Sequence, residues 1–297
     1  MKYAVIDIGS NTVRLCAYQE AQGDMKQFIN QPIMAKLGSK TKDGAMTEEG
    51  VVAACDALET LKKTISENCI DKTFVFATAA LRNISNTEEV VKTIQKNTGL
   101  VINVLSGEEE AFLTFSGAAK EQGIQDGVIA DIGGGSTELI LVKSGEPVKT
   151  ASFPIGSLTA FVRFVEKRPA KPEEITAIRN HVRAIISQVF QPTQTAEVLY
   201  GIGGAARTAS ELEKILYPTA GGAMETLETL LYRLLDDSSL AEESILKASP
   251  ERLDTALPGV AILCEVAEFF GCSRLDVCKA GVREGYINRQ LEKEGHE

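Results

Sequence analysis

The sequence predicts a duplicated α/β fold, and three features carry that expectation. Lys2–Ile8 reads as an apolar strand that enters a turn at Gly9-Ser10-Asn11 and leaves it as a second strand through Val13, Leu15, Ala17 and Tyr18. Residues 128–142, VIADIGGGSTELILV, repeat that plan, so that Asp-Ile-Gly stands at 7–9 and again at 131–133. The offset of 124 residues far exceeds the ~20–50 of a solenoid unit and fits a repeated domain instead. A chain of 297 residues, at ~150 per domain, agrees with two domains.

Between the two hairpins, Thr47 opens a long amphipathic helix with apolar positions at Val51, Ala54, Leu58, Leu61 and Ile65. Thr73–Ala77 is a candidate strand, followed by a helix at about Glu88–Asn97, with Asn86 and Glu89 resembling its capping box. After a short strand at Val101–Leu105, Ser106-x-x-Glu109 is a second capping-box signature and starts a helix running to about Glu121. Gly123–Gly127 reads as a connector, which sets the domains at 1–123 and 124–297, with a C-terminal helix from about 285 to 297 expected to pack back on the first. The second half continues with helices near 156–167 and 172–190, a buried strand Val198–Gly201 and the glycine turn GIGGAARTAS at 201–210. Helices at 222–236 and 238–248 follow, then an apolar helix after Pro258 that ends at Gly271, and a strand near Arg274–Cys278.

Composition excludes several classes of function. The 31 Lys+Arg against 41 Asp+Glu leave a net charge of −10, which argues against a surface built for duplex nucleic acid. The richest apolar segment, Ala256–Cys272, is interrupted by Pro258, Glu265 and Glu268 and falls short of the ~18 apolar residues of a membrane span. Asp7 stands where a secretory signal is apolar. Cysteines 16, 55, 69, 264, 272 and 278 form no C-x-x-C pair, and the histidines are only His181, in a polar helical stretch read as surface, and His296. Zinc sites and disulfide frameworks are therefore not expected, and a reducing cytoplasm is.

Two glycine turns carry the candidate chemistry. At Asp7-Ile8-Gly9-Ser10-Asn11-Thr12 a glycine lets main-chain N–H groups approach an oxyanion, while Asp7 is poised to hold a cation or its water. Taken alone, this turn reads equally as a hairpin in which Asp7 bonds its own backbone. At Asp131-Ile132-Gly133-Gly134-Gly135-Ser136-Thr137-Glu138, three consecutive glycines cost chain entropy with no expected packing value; a phosphate resting on their amides is the simplest offset, and a flexible hairpin turn is the alternative. Asp131 and Glu138 would repel a bare polyanion, so a divalent cation between carboxylates and phosphates is implied, and magnesium suits an all-oxygen site that keeps water. Neither turn fits the P-loop or the nucleophile elbow of serine hydrolases. Glu108, Glu109 and Glu110 occupy a first helical turn, where the helix end favours their ionised form; either one faces a cleft as a base or all three are solvated. Arg82, just beyond a strand, is placed either to bind a phosphate or to make a surface ion pair. Gly203 and Gly204 form a third turn, suited to close helix–strand packing or to a nucleotide or second phosphate.

Together these segments resemble the exopolyphosphatase and guanosine pentaphosphate phosphohydrolase (Ppx/GppA) family, in the ribonuclease H-like superfamily of actin, sugar kinases and heat-shock chaperone ATPases. The resemblance rests on IDIGSNTVRL at 6–15, ATAALRN at 77–83, SGEEEAFLTFSGA at 106–118, ADIGGGSTELILV at 130–142, YGIGGAARTAS at 200–210, LPGVAILCEV at 257–266 and AGVREGY at 280–286. It implies a cleft between the two domains, magnesium (or manganese) held by Asp7, Asp131 and Glu138, and phosphates cradled by Gly9–Thr12 and by Gly133–Thr137. It also implies Glu110 as the residue that orients or deprotonates water, Glu138 as an assistant at metal or water, and Arg82 as the group that neutralises the transferring phosphate. The implied reaction is release of orthophosphate from inorganic polyphosphate, of short chains above all, or conversion of pppGpp to ppGpp. Alternatives are a catalytically weak nucleotide or alarmone sensor and an ATPase or kinase of the same superfamily. A homodimer is compatible with the resemblance, and neither a membrane nor duplex nucleic acid is an expected partner. Three departures stand out: Lys36 where relatives usually carry arginine, Pro154–Thr159 without the usual G-[AC]-V, and a chain that ends soon after Gly285, without the added helical domains of long members.

Overall fold

The computed structural model describes residues 1–21 and 24–295, so His296 and Glu297, at the end of the expected final helix, lie outside the described residues. Two compact units emerge, one formed by Met1–Glu110 with the segment from Tyr286 onward, the other by Ala111–Gly285.

In the first unit β1 (Lys2–Ile8), β2 (Val13–Ala21) and β3 (Asp24–Ile33) form an antiparallel meander. A small hairpin, β4 (Thr41–Lys42) and β5 (Ala45–Met46), leads to α1 (Glu48–Glu67), whose first turn is capped by Thr47 Oγ1 accepting from Gly50 N. Then come β6 (Lys72–Ala77), α2 (Ala79–Arg82), α3 (Thr87–Thr98), β7 (Asn103–Val104) and α4 (Gly107–Gln122). β6 and β7 join parallel, giving the sheet order β3-β2-β1-β6-β7. Alternation along β1 and β2 sends Ile6, Ile8, Val13 and Leu15 into a core shared with Leu58 and Leu61 of α1 and Val90 and Ile94 of α3.

The second unit repeats the order with β8 (Gly127–Ile132), β9 (Thr137–Lys143) and β10 (Glu146–Phe153) as the meander. α5 (Ser157–Phe164) and α6 (Pro172–Ile186) precede β11 (Val198–Ile202), which α7 (Gly203–Leu216), α8 (Met224–Asp236), α9 (Ser238–Ala248) and α10 (Ala256–Phe270) separate from β12 (Arg274–Val277). β11 and β12 are again parallel additions, in the order β10-β9-β8-β11-β12. α10 is buried along its whole length except Glu268 and forms the spine of this core. Both sheets thus share one connectivity, three antiparallel strands and then two parallel, which is the duplicated ribonuclease H-like arrangement expected.

Several local expectations are corrected. The connector at 123–127 is not where the compact units divide, because α4 continues past Glu110 and buries Ala111 and Ala118 against Ile129, Ile140 and Ile202 of the second sheet. β3 and β10 were not anticipated; both are edge strands with mixed polar patterns, and β3 carries Pro32, which an edge tolerates. Asn86 does not cap α3 with its side chain, which instead bonds the backbone N and O of Met46. Pro258 falls inside the first turn of α10, where its missing N–H costs nothing.

The final helix, α11 (Val282–Gly295), meets α4 backbone to backbone in the second unit. A methyl on Gly285 would lie 2.7 Å from the carbonyl carbon of Leu113, and one on Gly117 would lie 2.9 Å from that of Gly281. Neither neighbour is a side chain that can rotate away. We expect Gly285→Ala to lower the unfolding free energy in urea by about 1–3 kcal/mol, against a change within ~0.5 kcal/mol for the exposed control Lys92→Ala; equal effects would show that the close approach relaxes freely.

Candidate active site

β1 ends at Asp7, which is half-buried, and Gly9 N donates to Thr12 O at 3.1 Å to close the first turn. A Cβ at Gly9 would stand 3.0 Å from that oxygen, which is why the turn takes glycine. Segment 35–39 braces the turn from outside: Lys36 N donates to Asn11 O at 2.9 Å and Gly38 N to Ser10 O at 2.8 Å. Thr12 Oγ1 contacts the Met34 sulfur at 3.3 Å. With its backbone fixed in this way, Asn11 is 5% exposed, and neither Oδ1 nor Nδ2 has a hydrogen-bond partner. Two buried amide atoms left unpaired cost ~1–3 kcal/mol each in the folded state.

The same unit assembles a second constellation. Ser106 N donates to Glu109 Oε2 and Glu109 N to Ser106 Oγ, both at 3.1 Å, so the reciprocal capping box at the start of α4 forms as expected. The three adjacent glutamates therefore take three roles. Glu108 is exposed, Glu109 closes the cap, and Glu110, 6% exposed, turns inward. Arg82, at the end of α2, donates from Nη1 to Glu110 Oε2 at 2.6 Å and to Leu105 O at 3.1 Å. The guanidinium fixes the carboxylate and, as an opposite charge at contact distance, favours its ionised form. Glu110 is thus not solvated, and Arg82 makes a partly buried ion pair rather than a surface one.

In the second unit the triple-glycine turn packs on α5. Gly133 N donates to Ser136 O at 3.0 Å; Ser157 N reaches Gly133 O at 2.9 Å, and Leu158 and Thr159 N reach Gly134 O at 2.9 and 3.0 Å. A Cβ on Gly156 would lie 2.7 Å from the Gly134 carbonyl carbon, so the turn does have packing value, contrary to expectation. The bonds also aim the turn. Since C=O and N–H of a trans peptide point in opposite directions, anchoring the carbonyls of Gly133 and Gly134 on α5 directs the N–H groups of Gly134 and Gly135 away from it. Ser136 is buried beside them. Thr137 differs from expectation, because its buried hydroxyl donates to Ile155 O at 2.6 Å and so is not a free donor for a phosphate.

Asp131 and Glu138 pair directly across β8 and β9, on one face of the sheet, and are only 9% and 1% exposed. Glu138 Oε1 accepts from Ser152 Oγ at 2.7 Å. A Cβ on Gly203 (φ +83°) would stand 2.8 Å from Asp131 Oδ1, and one on Gly281 would stand 4.0 Å from Oδ2. Gly203 and Gly281 thus leave space around this carboxylate that any side chain would fill. Gly204 lies against the Arg252 guanidinium, with a Cβ there only 2.5 Å from Nη1, so this third turn is closely packed.

Like charges directly opposite in a sheet repel, and a shared cation relieves that repulsion. The oxygen-only donor pair and the space beside Asp131 fit a magnesium-like ion that completes its shell with water and substrate oxygens. Among the described residues no group of three or more His, Cys, Asp or Glu that could hold a metal is found. The two hairpins differ at one matching position. Asp7 faces Arg14 in the register of β1 and β2, where Asp131 faces Glu138. Sequence reasoning missed Arg14, Ser152 and the bracing start of α5, though the 124-residue offset superposes Arg14 on Glu138.

Other reactive groups stand apart. Burial pushes the Cys272 and Cys278 thiols up to about 12, away from nucleophilic thiolate character. His181, half-buried rather than fully at the surface, packs at a tilt against Phe164, and burial together with Arg163 lowers its pKa from the ordinary value. No helix among the described residues is long and apolar enough to cross a membrane.

A model of the Ppx/GppA phosphatase family matches residues 17–294. An uncharacterized protein of Streptomyces coelicolor is 27% identical over 98% of this chain and 91% of its own length. The Aquifex aeolicus Ppx/GppA family member superposes with a TM-score of 0.79 at 26% identity, over 100% of this chain and 99% of that one. An exopolyphosphatase from Cytophaga hutchinsonii shares the fold, with a TM-score of 0.85 at 21% identity over 99% and 98% of the two chains.

Replacing the unpartnered amide by a similar apolar shape tests whether it serves a ligand. Asn11→Leu is expected to melt at or above the parent temperature without ligand, while losing most of the thermal shift that tripolyphosphate gives the parent; a lower melting temperature with the shift intact would make Asn11 a structural residue.

Proposed function

The chain belongs to the Ppx/GppA phosphatase family, and we propose that it hydrolyses the terminal phosphoanhydride bond of inorganic polyphosphate, short chains foremost, or of pppGpp. The observation that carries this reading is Glu110, a buried carboxylate fixed by Arg82 at the capped start of α4. A general base must hold one orientation and stay ionised, and this ion pair favours both.

In the proposed reaction the N–H groups of Gly134 and Gly135, and the turn Gly9–Thr12 with Ser10 and Asn11, take the anionic oxygens of the substrate. Phosphatases of this family generally depend on a divalent metal; Asp131 and Glu138 would hold Mg2+ or Mn2+, which supplies charge neutralisation at the phosphoryl oxygens. Asp7, opposite Arg14, would act at the first turn rather than as a third ligand of that ion. Glu110 accepts a proton from water as the water oxygen attacks the terminal phosphorus. The bond from that phosphorus to the bridging oxygen breaks, and its electron pair leaves with the shortened chain. Arg82, beside Glu110, would neutralise the charge that develops on the transferring group. The products are orthophosphate and a chain one unit shorter, or ppGpp, and no covalent enzyme intermediate is required.

Glu110→Gln keeps the shape and removes the base. It should lower kcat by at least ~100-fold while leaving KM within about threefold, in a phosphate-release assay with Mg2+ that compares short polyphosphate, long polyphosphate and pppGpp. Release at the parent rate would remove Glu110 from the mechanism, and tight binding by the parent chain without release would favour a sensor.

A further inference from the structure

Register places three polar residues in one row across the second sheet: Asp131 on β8, Glu138 on β9 and Ser152 on β10. The corresponding row of the first sheet is Asp7, Arg14 and Pro32. The halves share one connectivity, so the rows can be compared position by position. Where the middle strand carries a cation, the third position is a proline with neither hydroxyl nor N–H, and Arg14 Nη1 finds Asn30 Oδ1 at 2.5 Å instead. Where the middle strand carries an anion, the third position supplies a hydroxyl, and it donates to that anion at 2.7 Å.

We propose that Ser152 is a positioning residue that fixes the Glu138 carboxylate so that it shares a divalent cation with Asp131. This inference rests on the cation reading above and adds the residue that makes it work. Three features support it. Glu138 is nearly inaccessible, so its carboxylate has few orientations to choose from and none that water selects. The bond is a direct hydroxyl donation to Oε1 at 2.7 Å, short enough to restrain rotation of the carboxylate. Ser152 lies on an edge strand and directly opposite Glu138, so its hydroxyl has only to rotate about χ1 to meet the carboxylate, with no rearrangement of the sheet. A partner of this kind fixes ligand orientation, and its loss typically weakens metal affinity by ~10–100-fold.

The test is a Mn2+ titration of substrate-free protein, read as the rise in melting temperature, for the parent, Ser152→Ala, Ser152→Thr, Glu138→Gln and the double variant Ser152→Ala/Glu138→Gln. Expected is a midpoint shifted ~10–100-fold upward in Ser152→Ala, restored to within about threefold by Ser152→Thr, and no further loss in the double variant than in Glu138→Gln alone. A midpoint unchanged in Ser152→Ala, or a double variant in which the two losses add, overturns the proposal while the cation reading stands. If the parent shows no Mn2+ shift, or Glu138→Gln leaves it intact, the cation reading fails and takes this inference with it. Should Ser152→Ala not fold, Ser152→Thr carries the test, because the threonine hydroxyl retains the bond and a normal midpoint is then required.

Discussion

Two carboxylates placed opposite each other in the interior of a sheet are a cost that an unselected sequence does not accept. The second unit accepts it at Asp131 and Glu138, and much of the surrounding structure is consistent with that choice. Gly203 and Gly281 withhold side chains from the space around Asp131, Ser152 holds one oxygen of Glu138, and the turn between the two carboxylates is aimed by the first N–H groups of α5. Each feature is explicable alone. Together they are what the proposed mechanism asks of residues that receive an anion with its cation.

The first unit uses the same hairpin for a different purpose. With Arg14 opposite Asp7, its like-charge repulsion is gone, and its turn keeps a buried amide instead of a triple glycine. Duplication thus supplied two turns of one geometry, and divergence at the residue seven places after the aspartate separated a phosphate-reading turn from a cation-holding one in the proposed mechanism. α4 shows a similar economy at shorter range. Three consecutive glutamates differ by ~100° of helical rotation each, which is enough to send one to solvent, one to the cap and one to Arg82.

Much of the architecture was legible in the sequence because it repeats. The two Asp-Ile-Gly hairpins, the capping box at Ser106 and Glu109, and the apolar run of α10 each express a local rule strongly enough to place an element. β3 and β10 were not legible, since an edge strand exposed on one side need not alternate cleanly. The division at Glu110 and Ala111 was hidden because it falls inside α4, and a continuous helix carries no punctuation there. At the site, the residue types in the turns were readable, but their partners were not. That Thr137 bonds Ile155, that Arg252 covers Gly204 and that Ser152 meets Glu138 are facts of register and packing, brought about by segments distant in sequence.

The central claim is that the Asp131–Glu138 pair is a cation site, and counting bound ions tests it most directly. Loss of the free Mn2+ paramagnetic signal on addition of substrate-free protein should report one ion per chain, and Asp131→Asn should weaken that binding by at least the ~tenfold that losing even an outer partner costs. Binding by Asp131→Asn equal to that of the parent, or no ion bound by either, would contradict the account.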